Sequence, residues 1–440
     1  MKFDRKYFDK HKNVILASAI SAVSLVLVLV ITISTVMKSM GTVMKNGDLM
    51  EGFSTKRASC SSFKDDFKAG YSNFAFNLVS EISNSKSNVA FSVSNVAGAM
   101  ALMASGAEGK TKTQIEDMLG GDVFSFRKQI SGLEKNNAYS EKSGSGIKSS
   151  NNLWLNNTTL DKIKNSFLKT NGKYFGLNIV REDLGDFGAA ENLQKNITDG
   201  TSNSVFASIN MDTSQQMYIA SGATFIANWK TQASAEDTQK SLFTGTEASA
   251  EAEFFKTLED GYISGDTFEG IVKEYDNGCS FVALLPAEFG SGTYYSVSDV
   301  VNELKSDGEK FTNLLSLKKV KSETAVLLPN YSNSVNSATT CELNSALKNM
   351  GAKLIFDSSA NMKSMAENCS NLCLGNITAS GDITVLAAGS SSDISKGEKI
   401  SDKKWNSASK RIAFDRSFVY FIVDNKSELP IYCGILNEIH

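Results

Sequence analysis

The rhythm of hydrophobic and polar positions changes along this chain. Phe67, Tyr71, Phe74, Leu78 and Ile82 recur at spacings of three and four, which predicts an amphipathic helix. Residues 95–105 are small and apolar throughout and predict a buried helix. Later the texture turns to short apolar runs. Residues 281–285 (FVALL) and 324–328 (TAVLL) suit buried strands. Residues 416–423 and 431–436 flank the polar stretch Asp424, Asn425, Lys426, Ser427 and predict a hairpin. Helices early and strands late predict one large α+β domain.

Two segments break this pattern. Residues 14–37 carry no charged side chain, a length sufficient to span a bilayer. Lys2, Arg5, Lys6, Lys10 and Lys12 precede them, against Asp4 and Asp9. That bias predicts a cytoplasmic tail at 1–13, a transmembrane helix at 14–37 and an extracellular remainder. A cleaved signal peptide has a shorter apolar core, about 7–15 residues, so an uncleaved anchor is expected; cleavage would leave a secreted protein. Residues 38–60 read as a polar stalk and 61–440 as the folded domain. The second exception is 389–410, a Ser/Lys/Gly/Asp run with almost nothing to bury. It lies between the apolar residues 383–387 and the C-terminal strands. An internal loop of this length, pinned at both ends, is read as functional and as a protease target.

Composition narrows the chemistry. The chain is 41% hydrophobic and 21% charged, as globular proteins are. Its net charge is −3 and its charges are dispersed, so no nucleic-acid partner is expected. The two histidines are His11 and His440. Neither position suits a folded catalytic or zinc site, which argues against Ser-His-Asp, Cys-His and histidine-zinc chemistry. Serine-x-x-lysine tetrapeptides begin at Ser61, Ser83 and Ser145, but no SDN or KTG accompanies them, so an acyl-transferase of the penicillin-binding class is not supported. Cys60, Cys279, Cys341, Cys369, Cys373 and Cys433 form no CxxC pair and read mostly as buried thiols, with Cys369 and Cys373 able to pair in an exported chain. No catalytic residue, metal or cofactor is expected.

A series of motifs then points to a family. Residues 88–107 (NVAFSVSNVAGAMALMASGA), followed by Thr111, come first. Next is an apolar strand over 218–229 ending at Trp229, with Thr238 and Phe243 after it. Leu284, Leu285, Pro286 and Leu327, Leu328, Pro329 form two LLP ends. Leu343, Leu347, Met350 and Gly351 follow, and then the stretch from Phe414 to Gly434. In this order, from about residue 63 to 437, the set resembles the serpin family. The resemblance implies three β-sheets, about nine helices and a reactive loop over about 381–413. It also implies a non-enzymatic, monomeric protease inhibitor whose partner is a protease of serine or cysteine type. Such a protein is a suicide substrate: cleavage frees a strand that enters the central sheet and drags the acylated protease with it.

The resemblance also assigns residues. Residues 376–381 (NITASG) align with the family's hinge, making Gly381 the hinge. Asp382, Ile383, Thr384, Val385, Leu386, Ala387 and Ala388 are then the entering strand, with Asp382, Thr384, Leu386 and Ala388 turned inward. Asp382 and Leu386 depart from the small, uncharged row of inhibitory members, as Ala379 and Ser380 depart from the acidic pair before the hinge. The scissile residue lies about fourteen positions beyond the hinge glycine, at Ser395 with Lys396 next. The loop is then roughly ten residues long for the family, and counting back from Phe414 gives Asn406 instead. Lys399, Lys403 and Lys404 are further candidates. Trp229 takes the place of the breach tryptophan, and Ser92, Ser221 and Asn371 those of the polar cluster beneath the sheet. A non-inhibitory serpin-fold binding protein at the cell surface is the second reading, favoured by Asp382.

Overall fold

The computed structural model describes residues 42–43, 47–156, 162–183, 216–306, 311, 323–333, 341–367, 371–391 and 393–439. The apolar run at 14–37 lies outside them. Among the described residues no helix is long and apolar enough to cross a membrane.

Eight α-helices lie among the described residues. They are α1 (Asp65–Ile82), α2 (Val93–Gly106), α3 (Gly109–Leu119), α4 (Val123–Asn137), α5 (Asn165–Thr170), α6 (Val297–Ser306), α7 (Asn344–Asn349) and α8 (Asp402–Ser407). The predicted apolar stripe of α1 is its buried face: Phe67, Tyr71, Phe74, Leu78 and Ile82 are all in the core. α2 is buried nearly all round, as its small apolar residues predict. Ser92 caps it, its hydroxyl accepting the Asn95 N–H at 3.2 Å.

The strands, numbered along the chain, form three main sheets. The central sheet runs β16 (Tyr331–Asn333), β19 (Leu374–Val385), β7 (Met217–Asn228), β4 (Gly146–Asn156), β6 (Asn178–Glu182), β2 (Gly47–Asp48). Two short pieces join it: β17 (Cys341–Glu342) on β19 and β20 (Gly389–Ser390) on β7. The second sheet runs β10 (Tyr262–Ser264), β11 (Phe268–Glu274), β12 (Cys279–Pro286), β22 (Phe418–Asp424), β23 (Leu429–Leu436), β3 (Val89–Phe91). The third runs β21 (Lys410–Ala413), β15 (Thr324–Pro329), β9 (Ser249–Glu259), β8 (Thr238–Thr244). A small sheet of β1 (Thr42–Val43), β5 (Lys162–Lys164) and β18 (Ala366–Glu367), and a hairpin of β13 (Glu288–Gly290) and β14 (Thr293–Tyr294), complete the set. The predicted C-terminal hairpin is β22–β23, its turn closed by Asp424 accepting the Ser427 N–H at 3.0 Å.

Residues 47–60, read as stalk, belong to the folded body. Leu49 and Met50 are buried, and β2 adds an edge strand to β6. Beyond it the chain lies along α4: the Ser131 hydroxyl donates to the Ala58 carbonyl at 2.9 Å, and Lys135 to Ser59 at 2.7 Å. Arg57 pairs with Glu134, which is buried between α2 and α4. A Cβ at Gly98 would lie 2.1 Å from the Glu134 carboxylate, so α2 carries glycine there. Sequence reading missed this packing because the apolar residues are few and the segment is polar on average.

Burial outweighs the nearby guanidinium and pushes the Glu134 carboxyl from 4.5 up to about 8. The folded state therefore holds this proton more tightly than the unfolded chain. Its stabilising contribution is complete below about pH 4.5 and is lost as pH rises toward 8. Urea unfolding of Glu134→Gln should lack that decline, whereas an unaltered pH profile would show that another group produces it.

Candidate functional site

The site is the head of the central sheet, where β7 ends at Trp229. β19 runs parallel to β7 from Leu374 opposite Met217 up to Asp382 opposite Thr224. Above Thr224 the two strands part. β19 continues against β16, with Ile383 opposite Asn333 and Val385 opposite Tyr331. The chain then turns, and β20 lies antiparallel to the last residues of β7: Gly389 opposite Asn228, Ser390 opposite Ala227.

Trp229 holds that turn. Its indole N–H donates to the Leu386 carbonyl at 2.8 Å, and its backbone N–H to the Ala388 carbonyl at 2.9 Å. The Ala233 N–H donates to the Ala387 carbonyl at 2.9 Å. Leu386 and Gly389 close the turn on each other with N–H to carbonyl bonds of 3.0 and 3.1 Å. The indole stacks on Tyr275 with ring centroids 4.2 Å apart. The Tyr275 hydroxyl lies 2.7 Å from the buried Ser390 hydroxyl. Burial drives the Tyr275 phenol well above its usual range, so the ring stays neutral and hydrogen-bonding. Beneath the indole sits a buried ammonium: Lys273 Nζ, 5.2 Å from the Trp229 ring, is paired with Glu259 and donates to the Thr231 carbonyl and the Thr257 hydroxyl, each at 3.0 Å. The scatter of Tyr275, Lys273 and Glu259 along the sequence carried no signal of this cluster.

The glycine expected to be the hinge has a fixed place in the sheet. Gly381 lies inside β19, not at its end. A Cβ there would sit 2.1 Å from the Tyr432 hydroxyl and 2.9 Å from the Ala90 backbone, so close packing accounts for this glycine. Asp382, Ile383, Thr384 and Val385 are already strand residues of the central sheet. Their inward row is Ile383 and Val385, both buried, while Thr384 and Leu386 are half-buried. Asp382 is buried opposite Thr224. Leu386, Ala387 and Ala388 make the turn. The turn ends at Gly389, whose φ of +145° favours glycine and whose Cβ would meet the Ala227 carbonyl at 2.5 Å.

The polar cluster forms without Asn371. Ser92 lies 3.0 Å from Ser94 and donates to the Ile431 carbonyl at 3.1 Å. Asn95 bonds Ser149 at 3.1 Å, and Ser221 donates to Asn151 at 2.8 Å. Asn371 is an exposed residue with φ 63° before β19. The β19 residue opposite Ser221 is Ala379, which offers no hydrogen bond. The side chains tie β7 to β19 through Tyr218 and Thr378, hydroxyls 2.9 Å apart.

The polar loop follows the turn. Ser395 and Lys396 lie against the body, Lys399 is 4.0 Å from Glu236, and Lys403, Lys404 and Asn406 are exposed residues of α8. The described cysteines are free thiols; Cys369 lies outside the described residues.

The family model for serpins (serine protease inhibitors) matches residues 69–439, so the chain belongs to the serpin family. Mouse neuroserpin is 24% identical over 377 residues, 79% of this chain and 85% of that protein. The thermophilic serpin tengpin in its native state superposes with a TM-score of 0.76 at 23% identity, covering 90% of this chain and all of that one. Human thyroxine-binding globulin superposes at 0.71 and 18% identity, over 85% of this chain and 99% of that one. At these identities the structural likeness establishes the shared fold.

Trp229→Phe keeps an aromatic ring on Tyr275 but loses the indole hydrogen bond, worth about 1 kcal/mol. Amide exchange at Leu386 and Ala233 should then quicken roughly fivefold with the rest of the sheet unaffected. Unchanged exchange at those two amides would mean that the backbone bonds alone hold the turn.

Proposed function

We propose that this serpin is a suicide-substrate protease inhibitor whose hinge is Gly389, not Gly381. The supporting observation is β20. Two residues of the loop, Gly389 and Ser390, are already paired antiparallel with the head of β7. An entering strand needs that direction and that starting point. A hinge at Gly389 also removes the conflict over loop length, because about fourteen positions further on lies Lys403. Both counts then converge on α8, and the bond between Lys403 and Lys404 becomes the scissile bond for a protease of trypsin-like preference.

The register says what insertion would bury. Continuing β20 down β7 sets Ser392 opposite Phe225, Ile394 opposite Ala223, Lys396 opposite Ser221, Glu398 opposite Ile219 and Ile400 opposite Met217. Those β7 residues face the core, so this row of the loop would turn inward. Ile394, now 85% exposed, gains about 2 kcal/mol by burial. Lys396 arrives beside Ser221 in the polar cluster, and Glu398 two residues on can pair with it, an arrangement that roughly breaks even. New backbone bonds along the twelve residues of β7 supply the remaining drive. The uncut form persists because the loop is tethered at both ends.

Lys396 and Glu398 also favour a second reading: a serpin-fold binding protein that is cut without trapping. A fold of this kind binds thyroxine in human thyroxine-binding globulin. In either reading the apolar residues 14–37 would tether the domain to the cell surface, facing outward.

Incubation with a trypsin-like protease should give an SDS-stable complex joined through Lys403, and the cut inhibitor should melt well above the intact one. Lys396→Thr should raise the fraction of encounters that end in complex. Clean cleavage with the protease left active and an unshifted melting temperature would exclude trapping and leave the binding reading.

A further inference from the structure

The loop between Ser390 and α8 is not loose; it is seated on the body. The Ser391 hydroxyl donates to Asn228 at 2.6 Å, and Asn228 donates to Asp393 at 2.8 Å. The Ser395 hydroxyl donates to the Ala233 carbonyl. The Lys396 N–H donates to the Gln232 side-chain oxygen at 2.7 Å. The Ile400 N–H donates at 2.5 Å to the carboxylate of Asp237, which is buried in the body. Between these bonds Gly397 lies flush on the backbone: a Cβ there would meet the carbonyl oxygens of Ala233 at 2.3 Å and Gln232 at 2.4 Å.

The scissile candidates are therefore unequal. A protease binds its substrate as an added strand and needs the backbone groups on both sides of the bond. At Lys396 the N–H is taken by Gln232 and the following residue is pressed on the body. At Lys399 the N–H of the next residue is taken by Asp237. Lys403 and Lys404 lie in α8, six residues long with no buried member. Its backbone bonds are local, Trp405 N–H to the Ser401 carbonyl at 2.9 Å and Lys404 N–H to the Ser401 hydroxyl at 3.3 Å, and its contacts with the body are side-chain ones, the exposed Lys404–Glu323 pair at 3.9 Å and Lys256 5.5 Å from the Trp405 ring. A helix this short is marginal and unwinds at small cost.

We propose that Gln232 and Asp237 are positioning residues that select the scissile bond, masking the bonds after Lys396 and Lys399 so that the bond after Lys403 is the one offered. The inference rests on the Gly389 register for its consequence. A strand freed at Lys396 would reach only Ser221, short of the pairing down to Met217, whereas one freed at Lys403 runs past Met217 at the end of β7. A cut after Lys396 would leave the lower end of β7 unpaired, whereas one after Lys399 would end opposite Tyr218, short of the run past Met217 that a cut at Lys403 allows.

The test is limited trypsin digestion of the full chain, with the first cuts mapped by mass spectrometry. The wild type should be cut first at Lys403 or Lys404. The double variant Gln232→Ala/Asp237→Ala should shift cutting to Lys396 and Lys399 by at least roughly tenfold, as loss of a hydrogen bond to a charged group implies. Amide exchange should rise at Lys396 and Ile400, with the melting temperature of the intact protein unmoved. If the body variant folds poorly, Gly397→Val lifts the loop from the loop side and should give the same shift. Equal cutting at all lysines in the wild type, or an unchanged pattern in Gly397→Val, would overturn the proposal. Complex formation on SDS gels bears separately on inhibition: a shifted cut pattern with no complex at any protease ratio would refute trapping and leave the masking intact.

Discussion

The backbone of the turn Leu386–Gly389 is held chiefly by Trp229, which grips it through both its indole N–H and its main-chain N–H while the Ala233 N–H takes the Ala387 carbonyl. Everything at the head of the central sheet follows from that grip. It ends β19, reverses the chain and presents Gly389 and Ser390 to the last residues of β7. The indole can do this because it is fixed from behind. Tyr275 stacks on one side, and the Lys273–Glu259 pair fills the space below with a neutralised charge. Removing either partner of that buried pair would leave an uncompensated charge, which is far costlier than the pair itself is stabilising.

The sheet beneath this point is closed but lightly fastened. β7 and β4 are joined along almost their whole length, and Ser221 reaches across to Asn151. The seam between β7 and β19 is parallel, ends at Thr224 and carries the side-chain link of Tyr218 to Thr378. With Ala379 opposite Ser221, the polar cluster faces β4 and α2 and does not bridge the seam. The N-terminal segment adds the opposite edge, where β2 extends β6 and Arg57 fastens the chain to α4.

Much of this was legible in the sequence. The stripe from Phe67 to Ile82, the small residues of α2, the LLP strands and the C-terminal hairpin all fall where periodicity put them. These are elements whose pattern repeats along their own length. The hinge was not legible in this way. Gly381 and Gly389 each follow a short run of small residues, and nothing local separates a glycine that admits Tyr432 from one that needs positive φ. If Gly389 is the hinge, as proposed, the eight-residue displacement also accounts for Asn371 lying in an exposed loop and for the loop's excess length over the family. The stalk failed for a related reason: one buried Leu-Met pair and one arginine bound the segment, too little to register as amphipathic.

The sequence alone determined the family, the order of helices and strands and the presence of a polar internal loop, because each rests on residue type and spacing. Tertiary structure decided that Gly381 lies inside β19 while Gly389 ends the turn, which side chains face inward, and that the loop lies docked on the body. Those depend on distances between residues far apart in the chain: Trp229 to Leu386, Asp237 to Ile400, Tyr432 to Gly381. Only the folded backbone brings such pairs within reach of a hydrogen bond or a van der Waals contact.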